Sequence, residues 1–375
     1  MEHADVLIVG AGPAGSACAA RLVAAGCDVL VIDQVPFPRD KPCAGWITPD
    51  VLARVGLDSA TYAARHTLEA ISAFRVGRIG GAAVDVDYGR VVSYAIRRSE
   101  LDAELLRRSG ARTDLGRRVC EIRREKGRWV VNGRWSAPVL VGAGGHFCPV
   151  ARMLRGASAP EATVVARQIE YRLGGAALDA CQIRPERPEL YFCADLLGYG
   201  WCVRKGDHLN LGLGRRDPCA LPRHVVAFVD FLVRLGRIAP PPRQGWHGHA
   251  YLVRRREPLR ITGEGMLLVG DAAGLAAPES GEGILPAVVS GQRAARAILE
   301  PGGLRHYAGE VAGWLGHAPE SRAPGAARTR VGLALLGQGW FVRRVVLDRW
   351  FLHRAGRPGP LGTGEARCIS WGFSH

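Results

Sequence analysis

Residues 1–15, MEHADVLIVGAGPAG, decide how the rest of the chain folds. The apolar run Asp5–Val9 predicts a buried parallel strand. A helix is predicted over residues 16–25, directly after the glycine-rich turn Gly10–Gly15. Free N–H groups and the positive end of the helix dipole at such a turn favour a bound phosphate. A strand, a glycine-rich turn and a helix in this order predict a dinucleotide-binding βαβ unit.

The spacing within the turn supports the same interpretation. Gly10 permits the tight turn, Gly12 lets a pyrophosphate approach the backbone, and Gly15 lets the helix pack close to the strand. A second strand is predicted over Cys27–Asp33, and it ends on an acid where a ribose-binding carboxylate belongs. Asp33 therefore favours a dinucleotide whose adenosine ribose has a free 2′-hydroxyl, as in FAD or NAD.

A second glycine-rich stretch, Leu267–Ile284, narrows the choice of ligand. Its buried strand delivers Asp271 at the carboxyl end, where a carboxylate can accept a hydrogen bond from a polyol such as the ribityl chain of FAD. The turn Pro278–Ile284 leads into a helix whose first N–H groups can face the flavin, where negative charge develops on reduction. The two stretches together predict FAD, bound along its whole length.

The composition describes a large globular chain and limits its partners. Of the 375 residues, 47% are hydrophobic, and the net charge of +15 is carried almost wholly by arginine. The arginines are scattered and no nucleic-acid motif is present, so we expect no nucleic-acid partner. Attraction to anionic lipid or to a phosphorylated substrate is compatible with this charge, and so is an ordinary solvated basic surface.

The cysteines and the hydropathy exclude further classes. Ten cysteines occur without a CxxC pair, which argues against a zinc site and a disulfide framework and indicates a reducing cytoplasm. His247 and His249 would point the same way on a strand, but no third ligand is near them, so we expect no metal. No uncharged apolar run is long enough to span a bilayer.

Buried-strand patterns near residues 5, 28, 138 and 266 are separated by a β-rich section. The sequence therefore predicts an α/β fold: a discontinuous Rossmann-like FAD-binding domain with an inserted antiparallel β-sheet substrate domain and C-terminal helices. The predicted boundaries are 1–70, 96–160 and 255–302 for the FAD-binding domain, 71–95 and 161–254 for the substrate domain, 303–355 for the helices, and 356–375 for a loose tail.

The motifs together resemble the geranylgeranyl reductase family, a group of FAD-dependent oxidoreductases with the p-hydroxybenzoate hydroxylase fold. The resemblance covers roughly residues 4–350. The motifs that carry it are GAGPAG with Asp33, KPCAG at 41–45, RSELD at 98–102, ELYFCADLLGYGWCVRKGDHLNLGLG at 189–214, GDAAG at 270–274 and PESGEGILPAVVSGQRAA at 278–295.

The resemblance implies a set of FAD-binding residues and a set that lines the substrate cavity. The implied FAD-binding residues are Gly10, Gly12, Pro13, Ala14, Gly15, Asp33, Ala44, Gly45, Arg98, Val119, Asp271, Gly281, Gly283 and Ile284. Arg97 is the alternative to Arg98, because either of these adjacent arginines can align with the arginine of the family motif. Val119 falls in a strand predicted over 117–123. Tyr191, Tyr199 and Trp201 are either cavity aromatics or ordinary core residues.

Cys43 is the candidate catalytic residue. It lies in a turn between Pro42 and Gly45, which should bring the backbone close to the flavin. Reduction of a carbon–carbon double bond by hydride from flavin N5 needs a proton for the other carbon, and a thiol could donate it or position the alkene. The alternative is a small hydrophobe that packs under the isoalloxazine ring.

The resemblance implies reduction of carbon–carbon double bonds in an apolar prenyl or isoprenoid substrate. The alternatives are a monooxygenase that hydroxylates or epoxidises a secondary metabolite, and a non-catalytic FAD-containing redox or binding protein. The electron donor stays open between NAD(P)H and a ferredoxin-like protein, because Gly144 stands where related hydroxylases carry an acid.

We expect an apolar or lipid substrate and a cytoplasmic location. The segment Val331–Leu352 mixes tryptophans with arginines, so it is either a packed helix pair or a peripheral contact with a membrane surface.

Overall fold

The computed structural model describes residues 1–156, 163–255, 259–316 and 325–353. The predicted loose tail, 356–375, lies outside the described residues. The strands, in chain order, are β1 Glu2–His3, β2 Val6–Val9, β3 Val29–Asp33, β4 Trp46–Ile47, β5 Leu68–Ile71, β6 Ala73–Arg78, β7 Ala83–Asp87, β8 Ser93–Ile96, β9 Arg112–Leu115, β10 Ile122–Glu125, β11 Arg128–Val131, β12 Trp135–Ala137, β13 Val139–Gly142, β14 Thr163–Arg172, β15 Glu189–Phe192, β16 Gly198–Lys205, β17 His208–Arg215, β18 His247–Leu252, β19 Thr262–Gly263 and β20 Met266–Leu268.

The helices lie between and after these strands. They are α1 Pro13–Ala24, α2 Pro49–Arg54, α3 Ser59–Ala63, α4 Arg98–Ser109, α5 Pro149–Arg155, α6 Ala176–Ala180, α7 Leu221–Arg234, α8 Ile284–Leu299, α9 Tyr307–Leu315, α10 Ala326–Leu335 and α11 Gly339–Phe341. Three short 3₁₀ turns cover Gly145–Phe147, Gly270–Ala273 and Gly303–Arg305, and a π-helix covers Val342–Phe351.

The first large sheet has six strands in the order β19-β20-β13-β2-β3-β9. All neighbours run parallel except β19, which is antiparallel to β20. The central strands are apolar on both faces because helices cover them, which is why their sequences are continuous apolar runs. The carboxyl ends of the parallel strands meet at one edge, and ligands of such sheets bind there.

Gly10 and Gly15 show why this edge needs glycine. Gly10 has a φ of +114°, a conformation that disfavours any side chain. A Cβ on Gly15 would lie 1.9 Å from the carbonyl oxygen of Gly10, so α1 can approach β2 only without one. These two positions hold the turn in the geometry that the motif predicts.

The second large sheet has seven strands in the order β18-β14-β17-β16-β15-β6-β7. Its neighbours are antiparallel except β15 and β6, which run parallel. Its outer face is covered by α7, and its inner face turns toward the first sheet and the C-terminal helices. The predicted fold class, a discontinuous FAD-binding domain with an inserted sheet and C-terminal helices, is confirmed.

Two small sheets complete the architecture. One has the order β4-β8-β5 and lies beside the KPCAG loop, and the other has the order β1-β12-β11-β10. The strand predicted over 117–123 is wrong in its bounds, because β10 begins at Ile122 and Val119 lies in the loop before it. The edge strand β9 was not predicted, since its sequence, RTDL, is largely exposed and has no apolar run.

The described C-terminal residues pack against the inner face of the seven-stranded sheet. Val346 and Leu347 of the π-helix lie in one apolar cluster with Phe74 and Val76. Among the described residues, no helix is both long and apolar enough to cross a membrane.

Candidate active site

One cavity of about 800 Å³ connects the two large sheets. Its walls come from the glycine-rich turn after β2, the KPCAG loop, the inner face of the seven-stranded sheet, and the turn before α8. The sequence-predicted residues that line it are Gly10, Gly12, Pro13, Ala14, Asp33, Cys43, Ala44, Arg98, Val119, Asp271, Gly281, Gly283, Ile284, Tyr199 and Trp201. Residues far apart in the chain therefore meet around one space.

The carboxylate of Asp33 is fixed at the end of β3. Its Oδ2 accepts a hydrogen bond from the N–H of Ala11 at 2.8 Å, and its Oδ1 accepts one from Val35 at 3.0 Å. Oxygens held in this way can still receive hydroxyl groups, because each has a second lone pair. Val119 lines the same end of the cavity, although from a loop.

Arg98, and not Arg97, reaches the cavity. The guanidinium of Arg98 makes two hydrogen bonds to the fully buried Asp102, at 2.9 and 2.8 Å. Arg97 instead precedes α4 and forms ion pairs with Glu100 and Glu170. A positive group held beside the glycine-rich turn can balance the charge of a pyrophosphate.

The turn before α8 is tightly packed on the side of Asp271. A Cβ on Gly283 would lie 3.1 Å from Oδ1 of Asp271, and one on Gly281 would lie 2.3 Å from the hydroxyl of Tyr251. Gly283 directly precedes α8, and Gly283 and Ile284 line the cavity, whereas the N–H of Leu285 already donates to Oε1 of Glu282 at 3.3 Å.

The cavity fits the FAD that the sequence predicts. A Cβ on Gly12 would meet only the tip of Arg39, at 3.6 Å, so the backbone there is open to a phosphate. Among the described residues, two buried lining atoms make no hydrogen bond: Oγ1 of Thr48 and Oε1 of Gln168. A buried polar atom without a partner costs about 1–3 kcal/mol, which a polar ligand would offset.

The Cys43 loop presents its thiol to this space. Sγ of Cys43 accepts a hydrogen bond from the N–H of Gly45 at 3.3 Å, and its carbonyl oxygen accepts one from Asn210 at 3.0 Å. Gly45 does not line the cavity, since it packs behind the loop against Lys205 and Ile96. Gly45 therefore contacts the sulfur, and Asn210 holds the backbone that carries it.

From the sequence, His249 is a candidate only as one of two metal ligands. The structure places it in the wall of the cavity. Nζ of Lys41 donates a hydrogen bond to Nε2 of His249 at 3.0 Å. Oδ2 of Asp271 lies 3.9 Å from the same nitrogen. Burial, followed by the charge of Lys41, lowers the pKa of His249 to about 2, so the ring is neutral and accepts. Among the described residues, no group of His, Cys, Asp and Glu could hold a metal ion.

Tyr199 and Trp201 form the sheet side of the cavity. A Cβ on Gly212 would lie 2.3 Å from Cζ2 of Trp201, so a glycine in β17 gives the indole its place on the sheet. The hydroxyl of Tyr199 donates to the carbonyl oxygen of Ser280, which links the sheet to the turn before α8. Phe351 of the π-helix packs edge-on against Tyr199 and also lines the cavity.

The structure places Tyr191 elsewhere. Tyr191 pairs with Gly200 in the β15–β16 ladder, so the ring of Tyr191 points to the outer face of the sheet, away from Tyr199 and Trp201. There it packs against Phe231 and donates a hydrogen bond to Glu189 at 2.8 Å. The expectation that Tyr191 lines the substrate cavity is corrected to a core role.

This placement predicts different effects for two similar substitutions. Tyr191→Phe should leave the Michaelis constant and turnover unchanged and lower the free energy of unfolding by about 1 kcal/mol, the usual value of one hydrogen bond. Tyr199→Phe should raise the Michaelis constant for an apolar substrate, because it releases the ring from Ser280. Denaturant unfolding and steady-state kinetics of both variants check this, and altered kinetics in Tyr191→Phe would contradict the placement.

Several lining residues were not predicted. Gln168 has a signal in the sequence, since it is a polar residue at an inward position of β14, two residues after the lining Ala166. Tyr251 and Phe351 have none, because only the folded chain brings their strands and helix to the cavity.

Comparison with known proteins agrees with the geometry. Residues 3–122 match the family model described as FAD binding domain. The chain is 31% identical to the menaquinone reductase of Mycobacterium tuberculosis over 324 residues, which cover 79% of this chain and 77% of that protein. It is 28% identical to digeranylgeranylglycerophospholipid reductase 1 of Methanopyrus kandleri, over 79% of this chain and 80% of that protein.

The fold is also similar to a solved structure. The geranylgeranyl bacteriochlorophyll reductase-like protein of Thermoplasma acidophilum superimposes with a TM-score of 0.70 and 20% identity, over 90% of this chain and 88% of that one. FAD is therefore the cofactor, and the protein is an FAD-dependent oxidoreductase. With the menaquinone reductase matched over most of both chains, this chain belongs to the geranylgeranyl reductase family of FAD-dependent oxidoreductases.

Proposed function

We propose that the protein reduces isolated carbon–carbon double bonds in the prenyl chain of an apolar substrate. The observation that carries this proposal is the continuity of the cavity. This one space is lined by the glycine-rich turn and Asp33, by Cys43, and by an aromatic wall that includes Trp201. Such a space can take a dinucleotide and an extended apolar chain together.

The chain's own residues then have distinct tasks. Gly12, Asp33, Arg98 and Asp271 would hold FAD, and bound FAD supplies hydride when it is reduced. The aromatic wall would bind the alkene and exclude water, since it offers large apolar surfaces. Cys43 would hold the proton that the second alkene carbon takes, because its thiol lies on the cavity surface between these two regions.

The setting of Cys43 supports this role. The guanidinium of Arg98 interacts with the Cys43 sulfur and is itself held by Asp102. A thiol with fixed neighbours keeps one position relative to a bound alkene, and proton transfer depends steeply on such positioning. The names of the relatives support the substrate class, since menaquinone and digeranylgeranylglycerophospholipid both carry prenyl chains.

The test is an anaerobic turnover experiment with the FAD-loaded protein. Menaquinone and geranylgeraniol serve as separate probes, and dithionite reduces the flavin, so the result does not depend on the natural electron donor. Mass spectrometry of the extracted lipid should show the gain of two hydrogen atoms for each reduced double bond.

Two controls distinguish the possible outcomes. Omission of dithionite should give no product, and repetition in air with labelled oxygen should give no labelled product. An oxygen atom from O₂ in the product would replace the proposal with monooxygenase chemistry. Flavin that is reduced and reoxidised without altering either probe or any co-purified lipid would favour a non-catalytic redox role.

A further inference from the structure

A buried charged cluster lies directly behind the Cys43 loop, outside the residues assigned above. Lys205 is 1% exposed, and its Nζ forms an ion pair with Oε2 of Glu170 at 2.5 Å. Nε of Arg97 approaches the other oxygen of Glu170 at 3.3 Å. Burying a lysine is costly, and a buried ion pair adds little stability over an apolar pair, so a geometric role explains this cluster better than stability does.

Asn210 connects this cluster to the site. Its Nδ2 donates two hydrogen bonds, one to Oε2 of Glu170 at 2.9 Å and one to the carbonyl oxygen of Cys43 at 3.0 Å. Its Oδ1 accepts a hydrogen bond from Nε1 of Trp201 at 2.8 Å. One side-chain amide therefore contacts both the candidate proton donor and the aromatic wall of the cavity, with both of its donors used.

The loop fits against the cluster with no spare room. Gly45 has a φ of +66°, and a Cβ there would lie 2.3 Å from Nζ of Lys205 and 2.3 Å from the carbonyl oxygen of Ile96. The carbonyl oxygen of Gly45 also accepts a hydrogen bond from Ile96 at 2.7 Å. The backbone from the Cys43 carbonyl to Gly45 is thus held by Asn210 of β17 and Ile96 of β8.

We propose that Asn210, oriented by the Lys205–Glu170 pair, is a positioning residue that holds the Cys43 thiol and the Trp201 indole in one geometry across the substrate cavity. Glu170 accepts from Asn210 and so sets which way the amide faces. The kinetic part of this proposal rests on the proposed function, whereas the positioning of the thiol does not.

The first test is the rate at which iodoacetamide alkylates Cys43 in the FAD-loaded protein, resolved by peptide mass spectrometry. The exposed Cys219 serves as an internal reference. Asn210→Asp keeps the size of the side chain and an acceptor for Trp201, but it cannot donate to Cys43 when ionised. Alkylation of Cys43 should accelerate about fivefold, the factor expected for one lost hydrogen bond, because the loop opens more often.

The second test compares the effects of each variant on kcat and on KM. Asn210→Asp should lower kcat and leave KM near the wild-type value, since Trp201 keeps its acceptor. Asn210→Leu removes that acceptor as well and should lower kcat and raise KM. Glu170→Gln, which retains an acceptor for Asn210 and removes the charge facing Lys205, should change the alkylation of Cys43 in the same direction.

Glu189→Gln is the matched control. Glu189 is fully buried and pairs with Arg237, but on the outer face of the same sheet. It should lower the melting temperature without changing the alkylation of Cys43. Wild-type alkylation rates in Asn210→Asp, Asn210→Leu and Glu170→Gln, with FAD retained, would overturn the proposal. If no probe is reduced, the proposed function fails while the alkylation result still decides the positioning.

Discussion

Replacing Gly12 by alanine is expected to weaken FAD binding by about 10–100-fold while leaving the fold intact. Gly12 has a φ of −72°, which any residue adopts, and a Cβ there has no close protein neighbour. The added methyl group would occupy the space through which a phosphate approaches the N–H groups of α1. Loss of one charge-assisted hydrogen bond, about 1.5–3 kcal/mol, corresponds to this range. Flavin titration of the FAD-stripped variant measures it.

Gly15→Ala is the comparison that makes this prediction specific. A Cβ at Gly15 would overlap the carbonyl oxygen of Gly10, so this variant should unfold more easily, by about 1–3 kcal/mol or more. FAD-stripped Gly12→Ala should melt like the FAD-stripped parent. Wild-type FAD affinity in Gly12→Ala would show that the ligand does not approach the backbone at this turn.

Replacing Cys43 by alanine should lower kcat for alkene reduction by about 10²–10⁴-fold, the usual contribution of a positioned general acid. FAD should remain bound, because the hydrogen bonds that fix Asp33 do not involve this side chain. Single-turnover measurements, in which reduced protein is mixed anaerobically with substrate, separate the chemical step from substrate binding.

Two further cysteine variants test whether the thiol of Cys43 itself donates the proton. Cys43→Ser retains a weaker proton donor of similar size and should recover part of the rate. Cys219→Ala, at an exposed cysteine outside the cavity, should behave as wild type. Full turnover of Cys43→Ala with bound FAD would exclude the thiol as proton donor and favour the alternative, a small hydrophobe beneath the ring.

The FAD-binding half could be predicted from sequence because its signals are local. The βαβ unit, with its glycine-rich turn and Asp33, occupies a single stretch, and each residue there has a backbone role that only certain residue types fulfil. The same holds for Asp271 and the turn before α8, where a strand, an acid and a helix start follow one another. Local chemistry of this kind does not depend on distant parts of the chain.

The substrate side could be predicted only in part, because both faces of its strands are buried. The stretch ELYF of β15 has no polar alternation, so nothing in it indicates that Tyr191 faces α7 while Phe192 faces inward. Only the pairing of Tyr191 with Gly200, and of Phe192 with Tyr199, settles the faces. Trp201 lies two residues from Tyr199 on the same strand, so the pleat places both side chains on the face that lines the cavity.

The π-helix that ends at Phe351 contributes a part of the cavity wall that belongs to neither of the two large sheets. The ring of Phe351 stacks on Trp46 with centroids 5.3 Å apart, beside the loop that carries Cys43. This part of the cavity wall thus comes from a segment that lies far along the chain from the nucleotide-binding turn. Exchange of this segment would therefore change the shape of the cavity and leave the glycine-rich turn and Asp33 unaltered.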